Sequence, residues 1–460
     1  MTSAGIFSQQ RNQQLDFFRG AALLTIFVNH LPGNPWFWYT PSRFGLSDAA
    51  EVFVFLSGFT SALAFGRSFE RVGLWLGSVR VLYRCWQIYA AHLASFLLLA
   101  AICVTANRCL SGVDYIQALN IAYFFDTTQQ AVFELFSLRY VPNYFDILPM
   151  YLVMLLWLPL VWSLSRLHVA LALAFPFLIY LAAGHYGWEL TADSAGGRPW
   201  YFNPFHWQLM FFTGLALGAG WLPRPALSGW LLALCVTFVI LAVPLGHEAT
   251  YRQSAFWGHW RGQLEPWLDK RHLGLLRWLH LLAMAYLMNG VLHWKPHWLS
   301  SGLPRLIVTM GQQSLPMFVF SMVLSFAGGI ALDSIGRDAV STALVNLAGL
   351  GLLLTAGQLL AWLSGKPWQA SADTIDRATD AQRDFNLTHA FAWSRQALLA
   401  SLLLSLAALP MLSIQQPTVV VGTVPDQVVD IQPDDEGLRP VNAVLPETSA
   451  EDLDEQQQHL

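Results

Sequence analysis

One apolar segment near the start of the chain contains three ionisable residues whose spacing could support acid–base chemistry. Asp16, Arg19 and His30 lie within RNQQLDFFRGAALLTIFVNHLPGNPW, residues 11–36. On a helix, the eleven-residue step from Arg19 to His30 overshoots three turns by only about 20°, so both share one face, roughly 16 Å apart along the axis. Asp16 lies one turn before Arg19 on nearly the same face. The pattern predicts an acid–base pair at one end of the helix and an imidazole near the other.

Ionisable side chains are costly at bilayer depth and usually face the interior of a helix bundle or a wet cavity. The alternative for these residues is an ion pair of Asp16 with Arg19 that flanks the helix, and a His30 that extends to the membrane interface. Their alignment on one face favours a shared site.

A second apolar segment, SDAAEVFVFLSGFTSALAFG at residues 47–66, begins with two carboxylates one turn apart, Asp48 and Glu51. If this helix enters from the outer side, both lie at the depth of His30. A carboxylate beside an imidazole can hold its tautomer and raise its basicity, as in general-base catalysis. The alternative for Asp48 is a helix N-cap. Ser57 and Gly58, later in the segment, are predicted to permit close helix packing.

Further polar residues open three later apolar segments on the same predicted outer side. The segments are YVPNYFDILPMY, which contains Asp146, YFNPFHWQLMF, which contains Asn203 and His206, and LGLLRWLHLLA, which contains Arg277 and His280. Trp36, Trp38, Trp200 and Trp207 lie nearby. Arg277 and His280 are three residues apart and are therefore neighbours on one helix face. Together these residues are predicted to line one polar mouth, in which tryptophans suit stacking against sugar rings, although an interfacial aromatic belt explains them equally well.

The sequence predicts no metal or nucleotide site. It contains no H-E-x-x-H, Walker, Rossmann or G-x-S-x-G pattern. The net charge of −4 argues against nucleic acid as a partner, because no basic stripe is present to neutralise phosphates. The cysteines show neither metal-ligand spacing nor a disulfide framework and are predicted to be packing residues: Cys85, Cys103, Cys109 and Cys235.

The elements that must position these residues are membrane helices. Of the 460 residues, 55% are hydrophobic and only 12% are charged, far from the usual quarter charged of a soluble domain. The predicted fold is an all-α polytopic membrane helix bundle. Its ten predicted spans lie near 15–32, 49–66, 79–105, 146–165, 167–184, 204–222, 226–245, 274–294, 312–333 and 340–364, with an eleventh candidate near 395–414.

The distribution of basic residues predicts a cytoplasmic N-terminus, which places His30 near the outer side. No small-residue cleavage site follows the first segment, so we expect it to be a retained helix rather than a signal peptide. We expect three regions: a membrane domain at 1–365, a cytoplasmic segment with the eleventh candidate helix at 366–414, and an acidic tail at 415–460. The tail has ten acidic residues against one basic residue and is disordered by composition.

The two opening segments, LDFFRGAALLTIFVNHLPGNPW and FGLSDAAEVFVFLSGFTSALAFG, closely resemble the OpgC family, membrane proteins that succinylate osmoregulated periplasmic glucans. LRYVPNYFDILPMY, NPFHWQLMFFTG and RWLHLLA extend the likeness to about residues 11–365. The chain also resembles the wider acyltransferase-3 superfamily, whose first helix carries Arg-x10-His, matched by Arg19 and His30. The second signature of that superfamily ends in SGF, matched by residues 57–59.

The resemblance implies an inner-membrane O-acyltransferase that moves an acyl group, expected to be succinyl, from cytoplasmic acyl-CoA to hydroxyls of a periplasmic glucan. It implies His30 as general base, Glu51 or Asp48 as its orienting group, and Arg19 as the anchor for the donor. Acyl-CoA is a co-substrate, and no further cofactor is expected. The expected substrate-binding residues are Asp16, Arg19, Asn34, Arg43, Asp146, Asn203, Trp207, Arg277 and His280.

Within this set, Arg277 is expected to bind the free carboxylate of the acyl group, with His280 sharing the anion. The competing hypothesis is a transporter or exporter of a glycan or a small anion, for which a polar mouth within the membrane is equally natural. Transporters commonly show broken helices in paired repeats, which this sequence does not show.

Overall fold

A computed structural model describes residues 13–142, 144–193, 196–294, 298–300 and 302–365. This part of the chain is helical, in agreement with the predicted all-α class. The predicted eleventh helix near 395–414, the 366–414 segment and the 415–460 tail lie outside the described residues.

The described residues form sixteen α-helices, a π-helix at Ala62–Gly66, and 3-10 turns at Pro35–Tyr39, Pro41–Arg43 and Trp298–Ser300. The α-helices in chain order are α1 Gln13–His30, α2 Ala49–Ser61, α3 Arg67–Cys109, α4 Tyr115–Ala118, α5 Ala122–Asp126, α6 Thr128–Phe136, α7 Ile147–Leu167, α8 Val169–Tyr186, α9 Pro204–Ala219, α10 Gly229–Gly246, α11 Glu248–Gln253, α12 Ala255–Leu268, α13 Leu275–Trp294, α14 Gly302–Gly311, α15 Ser314–Ile335 and α16 Ala339–Ser364.

Seven helices in the described part are long and apolar enough to cross a membrane. They are Ala49–Cys109, Ile147–Leu167, Val169–Tyr186, Gly229–Gly246, Leu275–Leu292, Ser314–Ile335 and Ala339–Ser364. The first is a 61-residue run that contains two of the predicted spans, and Gly73, at φ 81°, breaks the helical geometry between them. The other two predicted spans correspond to α1 and α9, which are not among the seven, so the count of ten remains a prediction.

The closest helix packing joins α2 to α9, and glycines make it close. A Cβ atom at Gly58 would lie 1.8 Å from the carbonyl oxygen of Phe211, and one at Gly214 would lie 2.1 Å from that of Phe55. Only residues without a side chain let two backbones approach in this way. The predicted packing role of Gly58 is confirmed.

Helix α1 lies in the core of the described unit, against α2, α14, α15 and α16. Its inward side chains Leu23 and Phe27 are fully buried, as are Met150 on α7 and Phe211 on α9. Because α1 and α2 are antiparallel neighbours, the end of α1 at His30 lies at the same side of the bundle as the start of α2. Helix α13 also begins on that side and contacts α2.

Candidate functional site

Two carboxylates at the start of α2 form a capping box. Asp48 Oδ1 accepts a hydrogen bond from the backbone N–H of Ala50 at 2.7 Å, and Glu51 Oε2 accepts one from the backbone N–H of Asp48 at 2.9 Å. The N-cap alternative for Asp48 is therefore confirmed. Each carboxylate keeps its second oxygen for a cation.

Two cations bind those second oxygens. Arg277 Nε and Nη2 both lie 2.6 Å from Glu51 Oε1, and Nη2 also lies 3.5 Å from Asp48 Oδ2. Lys270 Nζ lies 2.7 Å from Asp48 Oδ2. All four side chains are nearly or fully out of contact with solvent, from 0% exposed at Glu51 to 13% at Arg277. We call these four residues the outer charge network; its formal charges cancel.

The network keeps Asp48 ionised despite burial. Burial raises the pKa of Asp48, but Lys270 and Arg277 outweigh burial and hold that pKa below its ordinary value. Removing either cation would leave a buried negative charge without its partner. We therefore infer that each side chain of the network stabilises the others.

Lys270 reaches Asp48 because the loop between α12 and α13 is held in place from two sides. The Lys270 carbonyl accepts a hydrogen bond from Trp207 Nε1 on α9 at 2.9 Å. Asp269 accepts from the backbone N–H groups of Arg271 at 3.0 Å and His272 at 3.2 Å, which folds the loop on itself. The ammonium group therefore projects from a fixed backbone.

His30 is the last residue of α1 and lies beside this network. Its Nδ1 donates to the carbonyl oxygen of Ile26 at 2.9 Å, and the ring of Tyr144 packs edge-on at 5.7 Å between centroids. The charges of Lys270 and Asp48 act on the His30 imidazole. A neutral ring that donates through Nδ1 carries its lone pair on Nε2, which is the form that a general base requires.

The orienting group of His30 differs from the expected one. A carboxylate, Glu51 or Asp48, was expected to hold the ring; instead the backbone carbonyl of Ile26 does so, one turn earlier in the same helix. Both carboxylates are occupied by the helix cap and by the two cations. Asp48 still acts on His30, but through its charge.

Arg19 and Asp16 lie at the opposite end of α1 from His30, as their spacing predicts. Arg19 Nη2 donates to the hydroxyl oxygen of Ser314, the first residue of α15. Asp16 is buried at 4% exposure, and its backbone packs against Gly311 at the end of α14. The two residues thus lie where α1, α14 and α15 meet. Their expected roles in substrate binding stay predictions.

Two predicted mouth residues have structural partners near the network. Asp146 Oδ1 accepts from the backbone N–H of Tyr201 at 2.9 Å. Asn203 caps α9 by accepting from Phe205 N at 3.0 Å, and its amide donates to the Trp188 carbonyl at 2.7 Å. Both side chains are buried and shape the loop before α9.

Of two further mouth residues, Trp207 contacts the backbone of a network residue and His280 contacts the residue before Asp48. Trp207 is fully buried and donates to the Lys270 carbonyl, so it supports the loop that carries Lys270, and its expected substrate role stays a prediction. His280 Nδ1 lies 2.7 Å from the hydroxyl oxygen of Ser47, the residue before Asp48. Arg277, expected to bind a substrate carboxylate, has its guanidinium on Glu51, and its expected role stays a prediction.

Asn34 and Arg43 lie outside the site. Asn34 and Asn346 donate to each other's carbonyl oxygens at 2.9 and 3.0 Å, and Asn34 also donates to the Val28 carbonyl at 2.9 Å. Arg43 is 3% exposed and pairs with Glu248. Both side chains bind other residues of the protein, and their expected substrate-binding roles stay predictions.

Sequence reasoning missed three residues of the site: Lys270, Tyr144 and Tyr201. Two buried carboxylates need two cations for charge neutrality, and Arg277 is only one. The need for a second cation was the signal in the sequence that could have led to Lys270. The two tyrosines gave no signal, because only the fold brings their loops to the network. In the described ranges no group of three or more His, Cys, Asp and Glu side chains is arranged to hold a metal ion.

Apolar helices around a buried ionisable cluster define a membrane protein with a polar site at one end of its bundle. The chain belongs to the OpgC protein family, whose model matches residues 11–365. Comparison with curated proteins and with solved structures found no match. Family membership confirms the resemblance of the two opening segments and suggests an acyltransferase-type role in glucan modification.

Proposed function

We propose that this protein is an O-acyltransferase of the bacterial inner membrane that transfers a succinyl group from cytoplasmic acyl-CoA to hydroxyls of a periplasmic glucan. The family supports acyl transfer and a glucan acceptor, and the apolar helices support the membrane. The observation that carries the proposal is the His30 imidazole, fixed through Nδ1 beside a buried charge network, with Nε2 as its proton acceptor.

In this mechanism His30 Nε2 takes the proton of an acceptor hydroxyl as the hydroxyl oxygen attacks the thioester carbonyl carbon. A carbon–oxygen bond forms, and the carbonyl electrons move to its oxygen. When the carbonyl reforms, the carbon–sulfur bond breaks and the CoA thiolate takes the proton from the imidazolium. The Asp48 charge favours the imidazolium while it exists and opposes the effect of the Lys270 charge, which disfavours it.

The donor reaches this base along α1. Arg19 is at the cytoplasmic end in the expected orientation, and arginine pairs with phosphate oxygens in a bidentate way. The roughly 16 Å of helix rise between Arg19 and His30 suits an extended pantetheine-type arm. We assign donor anchoring to Arg19 and proton transfer to His30.

The test measures initial rates of acyl-CoA consumption with a glucan acceptor, against acyl-CoA concentration, in purified protein. His30→Ala should lower the maximal rate by roughly 10²-fold or more, the usual contribution of a general base. Arg19→Ala should chiefly raise the acyl-CoA concentration needed for half-maximal rate. His185→Ala, an exposed histidine at the end of α8, is the matched control and should change neither.

A near-normal maximal rate for His30→Ala, in protein that is folded like the wild type, would refute the assignment of the base. A wild-type protein that consumes no acyl-CoA but moves glucan or an anion across vesicle membranes would instead support the transporter hypothesis.

A further inference from the structure

Lys270 is a buried cation with spare hydrogen-bonding capacity. It is 5% exposed, and within the described residues Asp48 is its one ion-pair partner. An ammonium group has three N–H donors. Arg277 contrasts with it, since its Nε and Nη2 both bind Glu51 and its Nη2 also approaches Asp48. Of the two cations in the network, Lys270 has fewer bound acceptors and is the better placed to take a further anion.

A second buried donor adjoins the same carboxylates. The hydroxyl of Tyr201 is buried and has no hydrogen-bond partner among the described residues. Tyr201 directly precedes Phe202, whose ring centroid lies 5.8 Å from Lys270 Nζ, and the charges of Arg277, Asp48 and Glu51 act on its hydroxyl. A buried hydroxyl without a partner is rare and costly, and one close in the fold to a partly used ammonium indicates an acceptor that binds both.

We propose that Lys270 and Tyr201 form a subsite for the free carboxylate of a dicarboxylic acyl group. The proposal rests on the proposed function and names the residues that select the acyl group. The Lys270 ammonium binds the anion while it keeps Asp48, and the Tyr201 hydroxyl donates to the other carboxylate oxygen. The ring of Phe202, 5.8 Å from Lys270 Nζ, forms an apolar side of the subsite.

The position of the subsite suits a succinyl group. Three carbon–carbon bonds of about 1.5 Å separate its two carbonyl carbons. The cation that holds one end must therefore lie close to the base that acts at the other. Lys270 is bound to Asp48 at the start of α2, on the side of the bundle where α1 ends at His30. A bound carboxylate also makes the neutral network one charge more negative, which favours the imidazolium that forms on His30 during transfer.

The test compares succinyl-CoA with butyryl-CoA, which has the same chain length and no terminal carboxylate. Lys270→Met leaves Asp48 unpaired and should lower kcat/KM for both donors, but the ratio of kcat/KM for succinyl-CoA to kcat/KM for butyryl-CoA should fall by about 10- to 100-fold, as expected for loss of a charge-assisted hydrogen bond to the acyl carboxylate. Tyr201→Phe should lower the same ratio by a smaller factor. Arg271→Gln, an adjacent cation that pairs with Glu189, is the control and should leave the ratio unchanged.

A binding measurement separates this proposal from the proposed function. Free succinate, without acyl-CoA, should raise the thermal midpoint of the wild-type protein and of Arg271→Gln but not of Lys270→Met. Equal losses for both donors, together with no effect of succinate on the wild type, would overturn the subsite. Stabilisation by succinate that depends on Lys270, in a protein that consumes no acyl-CoA, would uphold the subsite and reject the acyltransferase.

Discussion

Replacing Arg277 with methionine should destabilise the protein far more than replacing Arg277 and Glu51 together. Glu51 is 0% exposed, and its charge is balanced chiefly by Arg277, whose two nitrogens lie 2.6 Å from one of its oxygens. In Arg277→Met the Glu51 carboxylate remains buried beside the like charge of Asp48. Removing one partner of a buried ion pair costs about 3–5 kcal/mol of unfolding free energy.

The other variants of the cycle should cost less. Glu51→Gln leaves Arg277 with Asp48 at 3.5 Å, so we expect a loss of roughly 1–3 kcal/mol. The double variant has no unpaired charge, and a glutamine oxygen can still accept from the Asp48 N–H. Replacing a buried pair by neutral groups is often close to neutral, so its loss should be about 1–2 kcal/mol at most.

Equilibrium unfolding in mixed detergent micelles, with reversibility checked by refolding, gives the four free energies. The expected order of loss is Arg277→Met, then Glu51→Gln, then the double variant. If the losses of the two single variants simply add in the double variant, Arg277 and Glu51 are not energetically coupled, and the interdependence inferred for the network is refuted.

Two further predictions concern helix packing and pH. Gly58→Ala places a Cβ 1.8 Å from the Phe211 carbonyl oxygen and should lower the thermal midpoint markedly. The control Gly229→Ala, with no atom within 4 Å of its Cβ, should leave the midpoint unchanged. Equal midpoints for the two variants would contradict the close α2–α9 packing. The hydrogen bond with Asp269 raises the pKa of His272 above its ordinary 6.5, so its stabilisation is fully present below that pH and is lost as pH rises through the raised pKa. The midpoint of the wild type should therefore fall over that range more than that of His272→Asn, and parallel curves would exclude this contribution.

The sequence predicts the long helices well because an apolar run of roughly 17–25 residues has few alternatives. Each of the ten predicted spans overlaps a helix of the structure. The short helices α4, α5, α6, α11, α12 and α14 were not predicted, because such segments depend on packing against the bundle rather than on their own length.

The candidate site was predictable only in part, for the same reason. Helical spacing and topology suffice to bring the starts of α2 and α13 to one side of the bundle, and the structure joins Glu51 to Arg277 there. Lys270 lies in a loop whose path depends on Trp207 and Asp269. Without that path, the sequence assigned the substrate carboxylate to Arg277, although Glu51 already neutralises Arg277.

The group that orients His30 is the largest difference between expectation and structure. It means that the orientation of the imidazole and the stabilisation of the imidazolium depend on different residues. In a catalytic triad a carboxylate both fixes the tautomer and stabilises the imidazolium. Here the Ile26 carbonyl fixes the tautomer from within α1, and Asp48 acts on the ring by charge. Asp48 can therefore share Lys270 with a substrate anion while His30 keeps its orientation, because that orientation does not depend on Asp48. Because the two tasks belong to different residues, the buried network can bind the acyl group while the imidazole keeps the neutral tautomer that accepts a proton.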